Sequence, residues 1–180
     1  LRLALRHPMW FKHLQHGAPH TLLAENHWQS ASGAVEWTLM AGDFAALKFE
    51  APTPDLIFFD PFSFKTDSEL WTLAAFRELA GLCEGKHTEL FTYTYSTQVR
   101  AAMLAAGFHV AKGRATGPKA ETTIGLSPLA AARHRHELLG AEWLGRWQRS
   151  HAQVPLGAED DQAWRAAVLQ HPQFRDATQL

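Results

Sequence analysis

The stretch Asp55-Leu56-Ile57-Phe58-Phe59-Asp60-Pro61-Phe62-Ser63-Phe64 sets four consecutive apolar residues between two acids. An apolar run of that length suits a strand covered on both faces, as in a parallel sheet. Ligands of open α/β sheets bind beyond the carboxyl ends of the strands, which is where Asp60 stands. Pro61 stiffens the turn after the strand. Two readings fit this turn equally well. Phenylalanines on an exposed loop offer flat faces for a base to stack on, and a carboxylate beside them accepts hydrogen bonds from an amine and aims its lone pair. Alternatively, the aromatics finish the core under an ordinary turn.

Working outward, residues up to 30 read as helix, with Trp10, Phe11, Leu14, Leu22, Leu23 and Trp28 at helical intervals and a break at Gly17-Ala18-Pro19. Val35–Leu39 alternates like a strand and runs into Gly42-Asp43. Downstream, 68–82 is an amphipathic helix, 88–95 a strand, and 96–106 a helix opened by Ser96 or Thr97 and stopped by Gly107. Short strands at 108–110 and 121–126 come next, and helices are expected over 140–150 and 159–170. Strands alternating with helices predict an α/β sheet with parallel pairing. The last two strands are separated only by the loop 113–120, too short for a parallel crossover, so they must pair antiparallel.

The chain has 180 residues with 46% apolar and 19% charged types, a globular composition. A formal net charge of −1 excludes a strongly basic nucleic-acid coat but not a local basic patch. The single cysteine, Cys83, excludes an intramolecular disulfide and a multi-cysteine zinc site. With no long apolar run and no signal peptide, a cytoplasmic protein that does not engage a membrane is expected. Of the eleven histidines, His13, His16 and His20 are interrupted by Gly17 and Pro19, while His134 and His136 alternate with arginines; neither set reads as a metal site. Lys65, Arg100, Lys112, Arg114 and Lys119 would make a phosphate rim if they cluster and scattered surface charge if they do not. Asp43 reads first as the cap of a short turn and second as an acceptor for an adenine amino group. Trp143 and Trp147, four apart, read as a packing face.

Taken together, several strings resemble one family. Pro54 through Ser63, then Glu69-Leu70-Trp71-Thr72, Phe91-Thr92-Tyr93-Thr94-Tyr95-Ser96, Val99-Arg100, Ala106-Gly107-Phe108 and the loop from Lys112-Gly113 to Lys119-Ala120-Glu121 are similar to MnmC-like methyltransferases. Leu39-Met40-Ala41-Gly42-Asp43 looks like that family's strand end. The resemblance spans about residues 35–127, and 139–174 resembles the tail of stand-alone members. It departs at Pro61, where the family often has Gly or Ala, and at Phe64, so the substrate pocket is expected to differ.

The resemblance implies a partial class I, Rossmann-like methyltransferase sheet made of strands 3 to 7, plus C-terminal helices. Residues 1–127 would be a partial methyltransferase domain and 128–180 a helical extension. No glycine-rich loop after strand 1 or acid after strand 2 is found, and the first residue is Leu1, so the chain is expected to lack its N-terminal portion. The implied cofactor is S-adenosyl-L-methionine, with no metal. Nothing resembles a flavin motif, so no FAD is expected. The implied reaction methylates the aminomethyl nitrogen of the tRNA wobble nucleoside 5-aminomethyl-2-thiouridine, and the implied partner is the tRNA anticodon region. Asp60 would be catalytic and would also touch the cofactor. Phe62, Ser63, Phe64, Lys65 and Tyr95 would meet the substrate, and Gly42, Asp43 and Phe44 the adenine. The alternatives are an inactive remnant that at most binds RNA, and a methyltransferase for another amine.

Overall fold

Proline 19 opens a helix instead of breaking one. In the computed structural model, which describes residues 17–44, 53–63, 66, 68–115, 120–158 and 162–175, α1 runs over Ala18–Glu25 with Pro19 in its first turn. There its missing N–H is no loss and its fixed φ suits the helix. Asn26, at φ 58°, caps the other end and donates its N–H to the Leu22 carbonyl. The chain divides into two compact units, Leu1–Phe49 and Glu50–Leu180.

The first unit continues with β1 (His27–Gln29) and β2 (Glu36–Thr38), an antiparallel pair with Trp28 opposite Trp37. The helix expected to run through Trp28 therefore ends before it. The Ser30–Gly33 turn returns the chain, the two indoles meet at 5.3 Å, and His27 Nε2 lies 2.9 Å from Glu36 Oε1. Such cross-strand pairs stabilise a hairpin. The strand expected at Val35–Leu39 is present as β2, but its partner is β1. The expected helical positions Trp10, Phe11 and Leu14 lie outside the described residues, as do His13 and His16.

The second unit contains β3 (Leu56–Phe58), a 3-10 turn (Glu69–Trp71), α2 (Leu73–Leu82), β4 (Glu89–Thr92), α3 (Thr97–Ala105), β5 (His109–Gly113) and β6 (Thr122–Leu126). Then come α4 (Pro128–Ala131), α5 (Ala141–Gln148), α6 (Ala163–Leu169) and a 3-10 turn (Pro172–Phe174). The sheet order is β3-β4-β6-β5. β3 and β4 are parallel, while β6 is antiparallel to both β4 and β5. The closing antiparallel pair is as expected, and the order is that of strands 4, 5, 7 and 6 of the implied sheet.

One face of the sheet is packed by α2 and α3. Leu73, Phe76 and Leu79 of α2 are buried at helical spacing, and Phe59, just past β3, meets Phe76 at 5.6 Å. Thr72 caps α2 by accepting the Ala75 N–H. In α3 six consecutive residues, Val99–Leu104, are buried, the helix being in contact with α2, β5 and α6. Every residue of β6 is buried between its neighbours. A Cβ at Gly125 would displace the flexible end of Met103 and come into ordinary contact with Phe108 and Leu90. On the other face Ala111, Ile124 and Leu126 pack with Ala130 and Ala131 of α4, with Phe91 and Leu138 beside them.

The C-terminal segment is tied to the same unit. Leu139 N–H donates to Val110 O and Lys112 N–H to Glu137 O, which covers the outer edge of β5. The Gln173 side chain accepts from Val110 N–H at 2.8 Å and donates to Leu139 O at 2.9 Å. Trp143 stacks on Trp147 at 6.4 Å and on Phe174 at 6.3 Å, the packing face expected from the sequence. Cys83 is buried and its thiol donates to Leu79 O.

Candidate functional site

The alternation of β3 sets the direction of the residues just past its end. Phe59 is buried and its N–H donates to Phe91 O, extending the pairing one residue past β3. Asp60 then emerges at the carboxyl end, exposed. Two aromatic side chains with polar tips hold the next turn from beneath. Trp71, 1% exposed, donates its indole N–H to Phe62 O at 2.7 Å. The Tyr93 hydroxyl donates to Pro61 O at 3.2 Å. The Trp71 ring meets Phe59 edge-on at 5.4 Å and Tyr93 edge-on at 5.9 Å. Burying such rings gives area and rigidity, and their N–H and O–H tips then need partners, which the loop carbonyls supply.

Above this platform, Phe62 is 78% exposed. Asp60, Pro61, Phe62, Ser63 and Tyr93 line an open concavity of about 530 Å³. Burial and the nearby Asp60 carboxylate push the Tyr93 phenol above its ordinary value, so the phenol stays protonated and a donor at neutral pH. The site thus offers one carboxylate, one phenol and one exposed aromatic face.

The structure brings Asp60, Phe62 and Ser63 to one concavity. Tyr95 is 55% exposed and is not among the lining residues. Gly42, Asp43 and Phe44 belong to the first compact unit and Asp60 to the second. Phe64 and Lys65 lie outside the described residues. Two residues take roles the sequence reading did not give them. Tyr93 lines the site; the Tyr93-Thr94-Tyr95 string signals that one of two tyrosines faces it but not which. Trp71, read as part of a helix start, is the loop's anchor.

Arg100 corrects the expected phosphate rim. It is 3% exposed and donates to Thr123 Oγ1, Glu121 Oε1 and Thr122 O at 2.8–2.9 Å. Thr123 Oγ1 in turn donates to Thr94 O. Arg100 therefore ties the β4–α3 connection to β6 from inside the fold. Lys112 pairs with Glu137 at 2.6 Å, Arg114 is exposed, and Lys119 lies outside the described residues.

The site fits the reacting end of a sulfonium cofactor: a carboxylate complements positive charge, and the exposed ring suits a flat ligand. No described residue lining the concavity is cationic, so the carboxylate of such a cofactor's amino-acid end meets no counter-charge among them. Among the described residues, no group of three or more His, Cys, Asp or Glu is placed to hold a metal, and no helix is long and apolar enough to cross a membrane.

Known proteins share both the sequence and the fold. A family model described as S-adenosyl-L-methionine-dependent methyltransferase matches residues 7–128. The tRNA 5-methylaminomethyl-2-thiouridine biosynthesis bifunctional protein MnmC of Ralstonia nicotianae is 34% identical over 128 residues, 71% of this chain and 19% of that protein. Its counterpart in Cupriavidus metallidurans is 32% identical over 70% of this chain and 18% of that protein. The chain thus spans about a fifth of the length of these relatives. The crystal structure of MnmC2 from Aquifex aeolicus superposes with a TM-score of 0.60 at 23% identity, covering 83% of this chain and 48% of that one. That likeness shows a shared fold.

Proposed function

We propose, from the premise that this chain belongs to the S-adenosyl-L-methionine-dependent methyltransferase family, that its site methylates the primary amine of 5-aminomethyl-2-thiouridine at the wobble position of tRNA. The observation that carries the reading is the Asp60-Pro61-Phe62 turn at the carboxyl end of β3, pinned by Trp71 and Tyr93 while Asp60 and Phe62 stay exposed. The function for which the relatives are named, tRNA 5-methylaminomethyl-2-thiouridine biosynthesis, supports the choice of substrate.

The bound cofactor would supply an electrophilic methyl group on sulfur. Asp60 would do the rest of the local chemistry. It accepts an N–H of the amine, turns the nitrogen lone pair toward the methyl carbon, and takes up or relays the proton released as the C–N bond forms and the C–S bond breaks. Phe62 would stack on the uracil ring. Ser63, Phe64, Lys65 and Tyr95 are proposed as further substrate contacts, and Gly42, Asp43 and Phe44, with Asp60, as cofactor contacts. The Tyr93 phenol holds the Pro61 carbonyl and so keeps the carboxylate in place.

The test is transfer of isotope-labelled methyl from S-adenosyl-L-methionine to tRNA bearing the aminomethyl nucleoside, with free amines as a parallel substrate. Asp60→Asn keeps size and one acceptor but removes the charge. Turnover is expected to fall about 10²-fold or more, with cofactor binding little changed. Near-normal turnover at saturation would make Asp60 a turn residue only, and methylation of free amines at the same rate would make the substrate a different amine. A second reading, an RNA-binding segment without turnover, is favoured by the exposed Phe62 ring, a face on which a base can stack without any cofactor. Tight cofactor binding by this chain in calorimetry counts against it.

A further inference from the structure

At the opposite end of β3 and β4 from Asp60, a second open concavity of about 520 Å³ is lined by Asp55, Lys86, His87, Glu89, Arg133 and Arg135, together with Gly85. Lys86 and His87 come from the connection before β4, and Arg133 and Arg135 from the Arg133-His134-Arg135-His136 run after α4. That run lies beyond residues 7–128, which match the family model.

The run is shaped by a left-handed residue. His134 has φ 50°, and its N–H donates to Ala131 O as the chain leaves α4. Arg133 and Arg135 flank it, both exposed and with side chains that have no hydrogen-bond or ion-pair partners among the described residues. They differ in this from Arg100 and Arg146, which pair with Glu121 and Glu142. His87 Nδ1 bonds to Leu129 O at 2.9 Å, so that nitrogen carries the proton. Lys86 Nζ donates to Thr53 O at 3.1 Å, and two of its three hydrogens remain for a ligand. Of the two carboxylates, Glu89 is paired with His136 at 3.3 Å, and His136 itself lies edge-on to Phe91. The Asp55 side chain has no hydrogen-bond or ion-pair partner among the described residues.

Unpaired guanidinium forks beside a lysine and an imidazole suit phosphate oxygens. In a chain of net charge −1 the groove is a local feature and not part of a general basic surface. Asp55 and Asp60 are five steps apart along an extended segment, about 16 Å at ~3.3 Å per step. A ligand reaching both ends must be a polyanion several units long.

We propose that this groove holds the sugar–phosphate backbone of the RNA substrate at a distance from the nucleoside presented to Asp60. The proposal rests on the tRNA reading only in naming which RNA is held. Its chemistry is sequence-independent phosphate contact, which positions a nucleic acid without reading it.

The experiment is fluorescence anisotropy of labelled tRNA with the whole chain, from about 50 to 200 mM salt. The Arg133→Ala, Arg135→Ala double variant replaces two exposed, unpaired side chains and is expected to keep the wild-type circular dichroism. It should weaken binding about tenfold and make the slope of log K against log salt shallower by about 1.4–1.8, the release of two phosphate contacts. Asp55→Asn should tighten binding. Arg146→Ala, which removes a single positive charge but lies on α5, should leave the slope unchanged. The proposal is overturned if the wild-type chain binds no RNA, if the folded double variant binds like wild type, if Arg146→Ala weakens binding as much, or if inorganic tripolyphosphate displaces the RNA at equal phosphate concentration. Methyl transfer is read separately. RNA held through the groove with no methyl transfer would sink the catalytic reading alone, and methyl transfer with a double variant that binds normally would sink the groove alone.

Discussion

Trp71→Phe tests whether the site is built from beneath. The substitution keeps an aromatic ring in a buried position but removes the N–H that bonds Phe62 O at 2.7 Å. A net hydrogen bond is worth about 1 kcal/mol. Phe62 is on an exposed loop, so its carbonyl can turn to water and the larger penalty of a buried unpaired acceptor is avoided. Shrinking indole to phenyl also weakens the edge contacts with Phe59 and Tyr93, each worth about 0.5–1.5 kcal/mol. The sum is about 2–3 kcal/mol, read as a lowered urea midpoint at unchanged slope. Because the lost bond fixes the turn carrying Asp60, turnover should fall about tenfold in the folded enzyme, on the scale by which small misplacements affect positioned groups. Tyr93→Phe removes a longer bond, 3.2 Å, from the neighbouring carbonyl and should do less on both counts. A variant that loses the full stability with unchanged turnover would show that Trp71 is core alone. One that loses neither would show that the indole bond to Phe62 does not hold the turn.

Arg100→Met should destabilise the chain by about 3 kcal/mol in urea unfolding, since it strips three hydrogen bonds from a buried position and leaves Glu121 uncompensated. His171 is buried against His109 at 4.8 Å, and burial, then His109 and Arg175, hold its imidazole down at about 4. Its folded value lies below the unfolded ~6.5, so its contribution is complete above pH ~6.5 and is lost as the pH falls toward 4. Urea midpoints should therefore drop over that window, and His171→Asn, which keeps an acceptor for the Gln173 N–H, should flatten the drop. Phe62→Ala should leave stability within about 0.5 kcal/mol, because the ring is already in water. It should raise KM for tRNA by the ~1–3 kcal/mol of a base–aromatic stack.

Where neighbouring residues decide the structure, the sequence is a good guide. The strand at Leu56–Phe58, the helix Leu73–Leu82, the stop at Gly107 and the short loop forcing β5 and β6 antiparallel all come from spacing and chain geometry, but the covering of the apolar run on both faces does not hold, because β3 is the edge strand of its four-stranded sheet and leaves Leu56 and Phe58 exposed. Where the outcome depends on distant partners, spacing misleads. Trp28 fits a helical period, yet its partner is Trp37 across a hairpin. Arg100 looks like surface charge because an arginine is nearly always exposed, but Thr122, Thr123 and Glu121 arrive from another strand to satisfy it inside. The site shows the same division. Asp60 and Phe62 are legible because strand ends carry ligands, whereas the choice of Tyr93 over Tyr95 depends on where β4 stops and what Trp71 offers beneath. The basic groove needs Lys86 and Arg133 brought together across three strands and two helices, which no local pattern encodes.

The arrangement of the Asp60 turn also explains why its aromatics are not interchangeable. Burying a phenylalanine gains about 1.5–3 kcal/mol, and Phe59 takes that gain by packing on Trp71 and Phe76. Phe62, three residues on, forgoes it, although the turn could present a polar residue at no loss to the core. The backbone of the same residue is nonetheless fixed, its carbonyl bonded to a buried indole. A ring held in water on a rigid base has little entropy left to lose, so a flat partner that covers it recovers most of the burial energy as binding energy. Asp60, two residues before it on the same pinned turn, is then set against whatever that partner carries. Stacking and amine orientation would thus draw on one structural device, which is why loosening Trp71 should impair turnover while removal of the Phe62 ring should act chiefly on binding.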